Sequence, residues 1–130
     1  MSSPRLLLTE PDPFFAACVM RHLRRAGFDV VHASHGEEGL DLLSREPFDL
    51  VVMELVLPRL DGYQLLEALR AKEALSELPV YVLTRLGTRE DVDRCRAQGV
   101  QDYFIKPHHS LDAIAARLVQ AWQQTIHQLA

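Results

Sequence analysis

Cysteine is scarce in this chain. Cys18 and Cys95 are the only two among 130 residues, which excludes a disulfide framework and a zinc site of paired cysteines. Each reads as a small apolar residue in a reducing compartment. Basic excess is missing too. The 14 Lys and Arg stand against 18 Asp and Glu, a net charge of −4, so the chain has no broad cationic surface for nucleic acid. Long hydrophobic runs are absent: Leu6-Leu7-Leu8 is too short for a signal peptide, and no stretch approaches a membrane span. Nor are there repeats, low-complexity tracts or Gly/Ser-rich linkers. What remains is 48% hydrophobic and 25% charged, the balance of an ordinary folded domain rather than a disordered one. The expectation is one cytoplasmic domain over residues 1–130 with one real core.

Short apolar runs alternate with helical patterns. Leu6–Thr9, Phe28–Ala33, Leu50–Leu55, Val80–Thr84 and Tyr103–Ile105 are apolar on both faces, as strands buried in a parallel sheet are. Asp12-Pro13 reads as an N-cap followed by proline in the first turn of a helix ending near Gly27. Further helices are expected over Glu37–Arg45 and Asp61–Leu75, from the Thr88 cap to Gly99, and from Ser110 to near the C-terminus. Five strand–helix alternations imply right-handed crossovers and a parallel sheet covered on both faces. In such a sheet, chemistry sits at the carboxyl ends of the strands.

Those ends hold Thr9-Glu10-Pro11-Asp12, Met53-Glu54, Thr84-Arg85 and Lys106-Pro107. Acidic groups, a hydroxyl and a lysine would converge there, a set suited to a phosphoryl group and its cation. With the Leu57-Pro58-x-x-Asp61-Gly62 tail after Glu54, and with the spacings from Glu54 to Thr84 and on to Lys106, the chain from Arg5 to about Gln120 resembles the receiver (CheY-like) domains of two-component response regulators. The resemblance implies a flavodoxin-like (βα)5 fold with a five-stranded parallel sheet. It also implies an acceptor aspartate at the third strand's end, phosphorylated by a histidine kinase, and two acids after the first strand that hold Mg²⁺. By position, Thr84 is the switch hydroxyl, Lys106 the phosphate-binding lysine, and Tyr103 the aromatic that swings inward with the hydroxyl.

Two positions depart from that pattern. Glu54 stands where the acceptor aspartate would be, and Pro11 stands where the second metal-binding acid would be, beside Glu10. Glu54 carries its carboxylate one methylene further out, and about 1 Å of misplacement costs roughly a hundredfold in rate. Pro11 supplies neither a carboxylate nor an N–H. Asp12 completes the acidic pocket, although its place before Pro13 favours capping. If Arg85 turns inward, Arg85 and Lys106 together cancel Glu10 and Glu54 without a metal. The expected function is therefore a degenerate pseudo-receiver, not an enzyme and without a cofactor, acting through protein contacts in a phosphorelay pathway. Mg²⁺ would be bound weakly or not at all; if it binds, Glu10 and Glu54 are its ligands. One rival is a working phosphoacceptor receiver with Mg²⁺-dependent transfer. Another is a flavin-binding protein, disfavoured because Thr9-Glu10-Pro11-Asp12-Pro13 is acidic and stiff, unlike a phosphate loop.

The histidines suggest no site; His108 and His109 read as loop residues leading to the Ser110 cap. The last helix carries an apolar stripe of Leu111, Ile114, Leu118, Trp122, Ile126 and Leu129. Trp122, Ile126 and Leu129 are expected beyond the cover of the sheet, as a partner or dimer contact. Expected partners are a histidine kinase, a downstream signalling protein, or a second copy joined through the fourth helix, fifth strand and fifth helix, with no nucleic acid and no membrane.

Overall fold

The computed structural model describes residues 3–106 and 109–129. Five strands, β1 (Arg5–Thr9), β2 (Asp29–Ala33), β3 (Leu50–Met53), β4 (Val80–Thr84) and β5 (Asp102–Ile105), alternate with five helices. The helices are α1 (Pro13–Arg25), α2 (Gly36–Arg45), α3 (Gly62–Ala71), α4 (Arg89–Ala97) and α5 (Leu111–Leu129). Every ladder is parallel, in the order β2-β1-β3-β4-β5. This is the flavodoxin-like (βα)5 arrangement, and its strand order reverses between β1 and β3, the switch point where a ligand crevice forms.

Alternation along the strands sends side chains to two separate core layers. Leu6, Leu8, Val52, Leu83 and Phe104 pack with Val19 and Leu23 of α1 and with Ile114 and Leu118 of α5. Leu7, Val51, Met53 and Val80 pack with Leu43 of α2 and with Leu65, Leu66 and Leu69 of α3. The register aligns Thr9 with Met53 and Thr84 with Ile105, so Glu10, Glu54, Arg85 and Lys106 leave the sheet at one edge.

The helix starts follow from local chemistry. Asp12 Oδ1 accepts the Phe14 and Phe15 N–H groups at 2.9 and 3.2 Å. Asp61 and Gln64 cap each other reciprocally, Thr88 Oγ1 accepts the Asp91 N–H at 3.1 Å, and Ser110 Oγ accepts the Ala113 N–H at 3.1 Å. Each cap is worth about 1 kcal/mol.

Several element ends differ from those expected. The predicted Asp61–Leu75 helix stops at Ala71, and a separate 3₁₀ turn covers Glu73–Leu75. Arg70 donates from Nη1 to the Leu78 carbonyl at 2.8 Å and from Nε to the Gln98 carbonyl at 2.7 Å, holding the chain in a turn after the helix. β2 begins at Asp29 because the Phe28 N–H bonds back to the Leu23 carbonyl. β3 ends at Met53 because the chain turns toward α3, where the Gly62 N–H reaches the Leu55 carbonyl at 2.8 Å. A Cβ on Gly62 would lie 2.5 Å from Leu55 Cα, so only glycine allows this closure.

In α5, Ile114 and Leu118 are buried, and Trp122 packs partly buried on the α1-side core. Trp122 therefore belongs to the cover of the sheet, not beyond it as the stripe suggested, because the helix still lies against the core at that turn. Ile126 is 47% exposed, and the Leu129 side chain lies outside the described residues. Among the described residues, no helix is long and apolar enough to cross a membrane.

Candidate functional site

The ends of β1 and β3 are tied together before any side chain acts, because the Glu54 N–H donates to the Thr9 carbonyl at 3.1 Å. That register sets Glu10 and Glu54 side by side, and both are buried. Lys106 enters from the end of β5, its N–H bonded to the Thr84 carbonyl at 2.8 Å. Its Nζ bridges the two acids, 2.6 Å from Glu10 Oε1 and 2.9 Å from Glu54 Oε1. The remaining oxygens are also engaged. Glu10 Oε2 accepts the Asp12 N–H at 2.9 Å, while Glu54 Oε2 accepts those of Leu55 and Val56 at 2.7 and 3.2 Å. The extra methylene of glutamate lets the Glu54 carboxylate curl back onto the two N–H groups that follow it.

Charged groups at this depth persist only when paired and hydrogen-bonded. The Lys106 side chain is 10% exposed, Glu10 4% and Glu54 7%. Phe15 closes the apolar side, its ring centroid 4.2 Å from Lys106 Nζ, a cation–π contact strengthened by desolvation. A divalent ion would need at least two hard oxygens facing one vacant point. Here the ammonium lies between the two carboxylates, each of the four oxygens has a donor, and Pro11 adds no side-chain oxygen. Among the described residues, no group of three or more His, Cys, Asp or Glu could hold a metal ion. In this arrangement the residues do not fit Mg²⁺.

Across β4 lies a second cluster of different character. Thr84 is fully buried, and its Oγ1 accepts the Leu86 N–H at 3.4 Å. Tyr103 packs with Leu55, Val82 and Cys95, and its hydroxyl donates to the Leu86 carbonyl. Tyr63 at the start of α3 donates to Asp91 Oδ1 of α4, and the Arg94 guanidinium stacks 3.9 Å from the Tyr63 ring centroid. Hydrogen bonds from the Tyr63 and Thr88 hydroxyls hold the Asp91 carboxyl below its usual range. Burial, together with the bond to Asp91, pushes the Tyr63 phenol up. Burial pushes the Cys95 thiol up to about 11, so it is inert at neutral pH.

A family model described as the response regulator receiver domain matches residues 6–118. The chain belongs to the response regulator receiver domain family. Among curated proteins, this receiver is 43% identical to the transcriptional activator protein PfeR of Pseudomonas aeruginosa over 115 residues, 88% of this chain and 36% of PfeR. It is 36% identical to the DNA-binding dual master transcriptional regulator RpaA of Synechocystis, over 80% of this chain and 43% of RpaA. The receiver thus spans less than half the length of either relative. Among solved structures, it is similar to the Francisella response regulator 1452 receiver domain, with a TM-score of 0.84 at 28% identity, covering 94% of this chain and 98% of that one. The receiver domain of the sensor histidine kinase PA1611 of P. aeruginosa, solved with a magnesium ion coordinated in its active-site cleft, gives 0.81 at 29% identity, covering 93% and 98%.

Of the residues singled out in sequence, the receiver fold brings Glu10, Glu54 and Lys106 into direct contact and sets Thr84 and Tyr103 beside them on β4 and β5. Two residues do not join the cluster. The Asp12 side chain is exposed and serves the N-terminus of α1, because its N–H, not its carboxylate, faces Glu10. Arg85 is exposed and makes no ion pair with Glu54 among the described residues; strand alternation turns it to the α1–α5 side, opposite Thr84. Lys106 alone balances the acids, leaving the cluster one negative charge rather than neutral. His108 and Pro107 lie outside the described residues, and His109 Nδ1 accepts the Ile105 N–H at 3.1 Å. Asp91 is legible in the sequence as the partner of the Thr88 cap, but Phe15 and the Tyr63–Asp91 bond are not. Phe15 looked like any apolar helix residue, and nothing in the spacing joins Tyr63 to Asp91; only the cap role of Thr88 hinted at a polar network there.

Proposed function

We propose that this receiver works as a phosphorylation-independent signalling module, a pseudo-receiver whose own lysine fills the place a metal ion takes in a working site. The observation that carries this reading is the Lys106 bridge between Glu10 and Glu54. An attacking carboxylate oxygen must be free and aimed at phosphorus. Glu54 has both oxygens bound, one to an ammonium and one to two backbone N–H groups. Phosphotransfer would require breaking these bonds inside a buried site, where an unpaired charge costs several kcal/mol.

The module is not an enzyme and holds no resident cofactor; it acts by contact. Tyr103, tied inward to the Leu86 carbonyl, keeps the β4–α4 loop in one of the two positions the family resemblance implies, so the α4–β5–α5 face is presented in a single state. Its partner is a histidine kinase, a downstream signalling protein or a second copy. The names of PfeR and RpaA support a role in transcriptional control for a longer protein of this kind, with any DNA contact made outside this acidic domain.

Intact mass after incubation with a small phosphodonor and Mg²⁺ tests the reading, with the Glu54→Asp, Pro11→Asp double variant alongside. No adduct on the wild type and one on the double variant is the expected result. An Mg²⁺-dependent adduct on the wild type overturns it and establishes the working phosphoacceptor instead.

A further inference from the structure

A cavity of about 300 Å³ opens on the α1–α5 side of the Lys106 bridge, between the start of α1 and the start of α5. That volume lies at the lower end of small-molecule sites, which combine an apolar body with a few convergent polar groups. The body here is built by Phe15, Leu83, Leu111 and Ile114. The polar groups are mostly donors. Arg85, the large residue that did not join the carboxylates, lines the cavity and has no hydrogen-bond or ion-pair partner among the described residues. His109 lines the cavity as well, its Nδ1 held 3.1 Å from the Ile105 nitrogen and 3.3 Å from the Ile105 carbonyl oxygen. The Ser110 hydroxyl accepts the Ala113 N–H at its oxygen and keeps its proton to give. Lys106 forms one wall but is spent on Glu10 and Glu54. The one acid at the rim, Asp12, has Oδ1 committed to two N–H groups of α1.

Donors facing an apolar pocket select an acceptor-rich head on an apolar body, and a guanidinium fork matches a planar carboxylate two bonds at a time. We infer that this cavity is a binding site for a small organic carboxylate with an aryl or alkyl body, its carboxylate on Arg85 and its body against Phe15 and Leu111. A ligand seated there packs on the same Phe15 ring that covers the Lys106 ammonium, and so braces the buried bridge from outside. The inference goes beyond the pseudo-receiver reading and does not depend on it: the cavity shares the Lys106 wall with the buried bridge, but Arg85, the group assigned to the ligand, makes no ion pair with Glu10 or Glu54 among the described residues.

Amide-resolved NMR titration of the full chain with benzoate is the test, with acetate as a probe that has no body and benzyl alcohol as one that has no charge. Benzoate is expected to give saturable shifts at Phe15, Arg85 and His109–Ile114, with a Kd at least tenfold below that of either control. Arg85→Met keeps the apolar stem, removes the fork and should raise the benzoate Kd tenfold or more without changing the rest of the spectrum. Leu111→Trp, which fills the cavity, should abolish saturation while the phosphodonor result stays as in the wild type. Equal binding of benzoate and benzyl alcohol, an unchanged Kd in Arg85→Met, or shifts confined to another face would each overturn the assignment.

Discussion

Two clusters flank the carboxyl end of β4, and they are held by different physics. On one side, Glu10, Glu54 and Lys106 are three charges at 10% exposure or less. On the other, the Tyr63 and Thr88 hydroxyls both bond the Asp91 carboxylate in a partly exposed shell, with Tyr103 nearby bonded to the Leu86 carbonyl. The charged cluster hangs on its lysine, since removing Lys106 strands both acids in a region that solvates ions poorly. The hydroxyl cluster fails gracefully, because water replaces a lost bond at its rim. Rigidity at Glu54 thus comes from charge, whereas the position of α4 rests on a network that small changes can tune.

Breaking the charged side should have the largest effect. Lys106→Met leaves two buried carboxylates without a cation and should lower stability by about 3–5 kcal/mol, read from urea unfolding at neutral pH. Glu54→Gln should cost less, about 1–3 kcal/mol, because Glu10 still pairs the lysine and only one charged hydrogen-bond partner is lost. A loss for Lys106→Met no larger than for Glu54→Gln would erase the proposed contrast.

The hydroxyl side should respond more weakly and with a definite pH signature. Tyr63→Phe should cost about 1–2 kcal/mol and loosen α4, seen as faster amide exchange over Arg89–Ala97. The Asp91 carboxyl titrates below its ordinary 3.8 in the folded chain because the Tyr63 and Thr88 hydroxyls favour its ionised form. A depressed carboxylate adds stability above its unfolded pKa and loses it as pH falls through the folded value. The difference between wild type and Tyr63→Phe should therefore be constant near neutrality and shrink below pH 3.8. A gap that widens in acid would assign the bond the wrong sign.

The smallest expected effect is chemical. Cys95 is fully buried among Leu55, Val82 and Tyr103, with its thiol pushed up to about 11, so iodoacetamide should modify half-buried Cys18 first and reach Cys95 only on unfolding. Peptide mapping after graded exposure distinguishes the two, and early labelling of Cys95 would mean that the hydroxyl side opens far more readily than its packing implies.

Most of the fold is legible in the chain itself. Strands apolar on both faces and caps at Asp12, Thr88 and Ser110 are local signals whose energetics act within a few residues. Element ends were missed where a distant group decided them, as when Arg70 holds the turn after α3 by reaching the Gln98 carbonyl. The site divides in the same way. Glu10, Glu54 and Lys106 could be named because each follows a strand and parallel register aligns strand ends, but the side Arg85 takes depends on strand alternation, and the Phe15 cover on how α1 docks.

The sequence by itself determined that five strands would alternate with five helices and that two carboxylates and a lysine, Glu10, Glu54 and Lys106, would leave the sheet at one edge. Tertiary structure alone decided that Lys106 bridges both acids, that Arg85 turns to a cavity instead, and that Tyr63 holds α4. Local order needs only propensities and caps a few residues apart, whereas the partner of a long charged side chain is chosen by burial, and burial exists only once the sheet and its helices have closed.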